Sequence, residues 1–128
     1  HVAGVMLTFL LMLLLPTGSI AQTTIDIQVS PNVLNLNNQG QVVTIHTDIA
    51  YSQVMASTVS LNGLEIDSWK ADNQGNFVAK FLMSAVKNLP LNIGEYNTLT
   101  LEGTTAAGEL FTGSSEILVV NNIPNGRR

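Results

Sequence analysis

Two histidines, nine carboxylates and a single tryptophan are the residues of this 128-residue chain that could do chemistry, and their spacing matches no catalytic arrangement. No second His, Cys or acidic cluster accompanies His46 along the chain, so it reads as a solvent-facing strand residue rather than a metal ligand. No Ser, His and Asp fall into a nucleophile motif. Asp67, Asp72, Asn73 and Asn76 offer the oxygen ligands that calcium prefers, but without EF-hand spacing, and an Asn/Gly turn accounts for them better. Glu65 and Asp67 are two apart, which on a strand puts both carboxylates on one exposed face. A solvated face explains that pair without glycosidase chemistry. Trp69 is expected in the core between two sheets; exposed, it could stack on a sugar ring together with Tyr51 or Tyr96. Gly40, Gly63, Gly75, Gly94, Gly103, Gly108 and Gly113 read as turn or bulge residues, and none sits in a phosphate-binding pattern. The sequence therefore assigns no catalytic, cofactor-binding or metal-binding residue, and the expectation is a protein that is not an enzyme and needs no cofactor.

Composition narrows the partners. Net charge is −4, and of five basic residues two, Arg127 and Arg128, stand at the extreme end, so no basic stripe exists for a phosphate backbone and nucleic acid is excluded as a partner. With no cysteine there is no disulfide framework and no thiolate metal or redox site. The chain also lacks an Asn-x-Ser/Thr acceptor. Export without cysteine points to a bacterial source.

From Val2 to Leu15 the chain is apolar except for Gly4 and Thr8, and Pro16-Thr17-Gly18 then breaks the run. Ser19 and Ala21 suit the small-residue pockets of a signal peptidase, which places cleavage before Gln22. The run is shorter than the roughly 20 residues a permanent span needs, so no stable membrane span is expected after cleavage. Residues 1–21 thus read as a signal peptide, truncated at its start because it lacks an initiating Met and a basic region. The alternative is a hydrophobic helix retained as in pilin-like filament subunits.

The elements that would carry the remaining residues are strands. Ile25, Ile27 and Val29 alternate with polar residues, as do Val43, Ile45, Thr47 and Ile49 around His46. Asn62-Gly63 supplies the positive φ angles of a type I′ turn, and the hairpin it closes sets Leu61 opposite Leu64 and Val59 opposite Ile66. Phe77, Ala79 and Phe81 point one way, Met83 to Leu89 suggests a short helix stopped by Pro90, and Leu99, Leu101, Ile117 and Val119 mark the last strands. About seven strands with turns every 8 to 12 residues is the pattern of a β-sandwich.

Taken in order, Val29-Ser30-Pro31-Asn32-Val33-Leu34-Asn35-Leu36, Ser57-Thr58-Val59-Ser60-Leu61-Asn62-Gly63, Leu99-Thr100-Leu101-Glu102-Gly103 and Phe111-Thr112-Gly113-Ser114 form a connected string of motifs. This string, around the lysine-bearing strand of Lys80, resembles immunoglobulin-like modules of bacterial and archaeal extracellular proteins. The resemblance spans most of residues 25 to 120; it implies fold and location and carries no catalytic residue. The chain is therefore expected to be all-β, an immunoglobulin-like sandwich of about seven antiparallel strands. Its domain would span residues 22–121, with a flexible tail over 122–128. Its expected role is a secreted structural, adhesive or binding module at a cell surface or in an extracellular matrix, with edge strands as contact surface and a protein or polysaccharide as partner. The alternatives are a filament subunit, through its retained helix or a donated strand, and a carbohydrate-binding module.

Overall fold

Alternating side chains can bury one face of a strand only if a second layer covers it, and here two sheets cover each other. The computed structural model describes residues 22–122; the expected signal segment and the tail beyond Asn122 lie outside the described residues. The strands are β1 (Gln22–Thr24), β2 (Ile27–Ser30), β3 (Val33–Asn35), β4 (Val42–Ala50), β5 (Val54–Leu61), β6 (Leu64–Glu65), β7 (Ser68–Ala71), β8 (Asn76–Leu82), β9 (Tyr96–Thr105) and β10 (Leu110–Val120). One sheet runs β1-β10-β9-β5-β6, with β3 also on β10; the other runs β2-β4-β8-β7. We call them sheet A and sheet B.

The inward faces are those the alternation predicts. Val43, Ile45, Thr47 and Ile49 of β4 and Phe77, Ala79 and Phe81 of β8 are buried against Leu99, Leu101, Ile117 and Val119 of the opposite sheet. Each fully buried side chain of this size contributes about 1.5–3 kcal/mol of transfer free energy. The inward hydroxyl of Thr47 is satisfied by donating to the Phe77 carbonyl at 2.6 Å. The predicted helix forms as α1 (Met83–Lys87), which buries Met83 and Val86. The Asn-Gly hairpin forms with Leu61 opposite Leu64 and φ of 48° at Asn62 and 86° at Gly63.

Three expectations need correction. Ten strands form rather than about seven: short strands such as β3 and β6 add to the number, and the segment expected as one strand from Thr24 to Ser30 is divided between the sheets. Its beginning, β1, pairs with β10, and its end, β2, pairs with β4. Not all pairings are antiparallel either: β1 and β3 both run parallel to β10, at opposite ends of that strand. Finally, Gly113 is neither a turn nor a bulge residue but lies inside β10, and Gly103 lies inside β9, where it faces the irregular stretch of β5. Gly113 lies beside Ile25, where the chain passes from β1 in sheet A to β2 in sheet B. A Cβ there would come 2.7 Å from the Ile25 carbonyl, so only glycine lets that crossing pass so close.

A cluster of amides closes the parallel β3–β10 ladder. The Asn122 N–H donates to Asn35 Oδ1 at 3.1 Å, and the Asn37 side-chain amide donates to Asn121 Oδ1 at 2.6 Å. These bonds fasten the C-terminal end of β10 to β3 and the residues just after it.

Candidate binding groove at the open edge of the sandwich

Trp69 decides where the candidate site lies. It faces the interior side of sheet B, because its cross-strand partner Ala79 is buried in the core. Yet β7 is the outermost strand of that sheet, and Trp69 stays 42% exposed. The expected core position is therefore incorrect: the ring stands at the mouth between the sheets, where no further strand covers it.

Opposite the ring, β5 and the short β6 form the other wall. Ser57, Thr58 and Ser60 from β5, with Glu65, Ile66 and Trp69, line a groove of about 360 Å³. The β5 wall is shaped by an irregularity in its pairing with β9, since four residues lie between Met55 and Ser60 where Gly103 alone lies between their partners Thr104 and Glu102. Thr58 stabilises this bulge: its hydroxyl donates to the Met55 carbonyl at 2.7 Å and accepts the Thr104 N–H at 2.9 Å. Bulges re-aim side chains beside binding sites. Here the bulged segment supplies Ser57 and Thr58 to the groove.

Glu65 and Asp67 do not share one strand as expected. β6 ends at Glu65, and Asp67 lies in the connection to β7, where its N–H donates to the Lys80 carbonyl at 2.9 Å. The three aromatic residues weighed as a sugar platform are not assembled either. Tyr51 packs toward Phe77, with ring centroids 6.2 Å apart, and Tyr96 is 67% exposed on the outer face of sheet A, in register with Leu118. Neither lines the Trp69 groove.

A second depression, of about 470 Å³, lies beside sheet B and is lined by polar groups that include Asp26, Gln28, His46, Asp48, Asp72 and Asn76. His46 is exposed on β4, as its place in the alternation predicts. Two of the depression's carboxylates are occupied by backbone donors: Asp48 accepts the Asp26 N–H at 3.0 Å, and Asp72 accepts the N–H groups of Gln74 at 2.8 Å and Asn76 at 2.9 Å. The Asn76 bond, followed by that of Gln74 and the charge of nearby His46, holds the Asp72 carboxyl below the ordinary aspartate range. Asp67 and Asp72 stand at opposite ends of β7, so the proposed oxygen set does not converge. Among the described residues no group of three or more His, Cys, Asp or Glu is arranged to hold a metal ion.

Sequence reasoning named Trp69 but not its groove. The bulge depends on how β5 pairs with β9, and no residue type in Ala56–Val59 announces it. Comparison with protein-family models, with curated proteins and with solved structures returned no match to this chain.

Proposed function

We propose that this chain is an immunoglobulin-like sandwich module of a secreted, non-enzymatic protein that acts by binding at a cell surface or in an extracellular matrix. The strand order supports the immunoglobulin-like reading: β2-β4-β8-β7 faces β5-β9-β10, which is the division of first, second, fifth and fourth principal strands against third, sixth and seventh. The observation that carries the binding reading is the half-exposed Trp69 in a groove walled by a bulged strand. An unpaired aromatic of this size at a concave edge is the usual anchor of an interface.

A filament built by strand donation is less well supported. Along β10 the chain's own β1 and β3 already pair, which leaves little of that edge for a strand from a neighbouring copy. Among the described residues no helix is long and apolar enough to cross a membrane.

The test is retention of the labelled protein on intact bacterial cells and isolated matrix, with Trp69→Ala alongside. Saturable retention that weakens roughly tenfold or more in the variant is expected, the loss typical of an aromatic anchor. No saturable retention, or a hydrolase activity that survives purification, would overturn the reading.

A further inference from the structure

The groove has one wall that ends in unpaired backbone. In the antiparallel β7–β8 pair, the Asp72 N–H donates to the Asn76 carbonyl at 2.9 Å, which makes that pair hydrogen-bonded. Bonded and non-bonded pairs alternate, so Lys70 turns its N–H and C=O toward β8 while Ala71 and Trp69 turn theirs away. β7 is the edge of sheet B, and all four of its residues are exposed. An open strand edge beside a pocket is the geometry of strand addition, in which main-chain bonds supply affinity and alternate side chains supply selectivity.

Charge distinguishes the two faces of this edge. Glu65, which stands opposite Ser60 on β6, lines the groove together with Trp69 and the apolar Ile66, and no cation lines it. The outer side carries Lys70, and Lys80 stands diagonally from it on β8. A side chain with an apolar stem and a cationic head fits the groove, because it can lie over the indole and reach the carboxylate. The neighbouring positions of the same strand would face Lys70 and favour acidic residues. A second copy of β7 does not fit, since antiparallel pairing would bring Lys70 toward its own counterpart.

We propose that β7 receives an extended polypeptide segment as a fifth strand of sheet B, with an arginine or lysine seated between Trp69 and Glu65. This rests on the binding-module reading and names its partner: a protein segment in which a basic residue alternates with acidic ones. A neutral sugar would use the ring but leave the open backbone edge idle.

Trp69 is the only tryptophan, so its fluorescence reports the groove alone. The full chain is titrated with the blocked peptide Thr-Val-Glu-Arg-Glu-Val-Thr, with a version carrying Gln for Arg, with one N-methylated on both sides of the arginine, and with a neutral oligosaccharide. The parent peptide is expected to shift Trp69 emission saturably. Affinity should fall roughly tenfold for the Gln peptide and for the Glu65→Gln protein, and be lost on N-methylation. Ala71→Pro, which removes a donor pointing away from β8, should weaken binding while the unfolding midpoint shows the domain intact. Parent and Gln peptides binding equally, or no response to any peptide, would overturn the proposal. A response to the sugar alone would also overturn it, while leaving the binding-module reading standing.

Discussion

The ring of Phe111 lies over Gly103, its cross-strand partner: a Cβ at Gly103 would stand 2.6 Å from Cζ and 2.8 Å from Cε2 of that ring. Phe111 is 1% exposed, so the aromatic covers the bare glycine backbone and closes the core above it. Val59 Cγ2 would be 3.0 Å from the same Cβ, which leaves no direction for relief. Gly103→Ala is therefore expected to destabilise the domain by about 1–3 kcal/mol, the usual effect of overpacking. Denaturant unfolding measures it, and Phe111→Leu in the same background should recover part of the loss; strict additivity of the two changes would refute the contact.

Asn62 does two jobs in the β5–β6 hairpin. Its backbone holds a φ of 48°, and its side chain stitches the turn to β9: Oδ1 accepts the Thr100 N–H at 2.7 Å and Nδ2 donates to the Thr98 carbonyl at 3.3 Å. Asn62→Ala is expected to lose about 1–3 kcal/mol from left-handed strain and the orphaned Thr100 N–H. Asn62→Gly should recover only the backbone part, so a Gly variant as stable as the parent would show that the side-chain bonds contribute nothing.

The Asp72 carboxyl gives a pH dependence whose sign follows from its bonds to Asn76 and Gln74. Its folded value lies below the ordinary aspartate value of about 3.9, so it binds fewer protons folded than unfolded. Its contribution is fully present above the ordinary value and is lost as pH falls through the lowered folded one. Because Asp72 is in contact with solvent, the effect is small. Asp72→Asn should flatten the acid limb of the stability curve slightly and leave the neutral plateau nearly unchanged; an unaltered acid limb would contradict this.

Thr47 buries a hydroxyl whose partner is the Phe77 carbonyl at 2.6 Å. Thr47→Val keeps the shape and removes the donor, and about 1–3 kcal/mol should be lost if the carbonyl is left unsatisfied. Urea denaturation compares it with Thr47→Ser, which retains the hydroxyl and should lose less.

Much of this fold was legible residue by residue. Val43, Ile45, Thr47 and Ile49, or Phe77, Ala79 and Phe81, reveal their inward face because a strand alternates with period two whatever it later pairs with. Asn62-Gly63 declares its turn because left-handed backbone angles restrict residue type within two positions. Val78 was not legible: it lies on the outer face of β8, yet it is fully buried, with His46 and Lys70 as direct neighbours on either side. That burial comes from a central strand's flanks, which no local pattern displays.

What the sequence by itself determined is the all-β character, the inward side chains, the short helix and the hairpin, because each depends on contacts between near neighbours along the chain. Only the tertiary structure decided that β1 and β3 run parallel to β10, that Gly103 and Gly113 are places of close approach, and that Trp69 faces an open groove. Whether an inward-facing ring is covered depends on which strand is last in its sheet, and that order arises from pairings between distant segments. Trp69 has the alternation of a core residue and the exposure of a surface one because β7 has a neighbour on one side only.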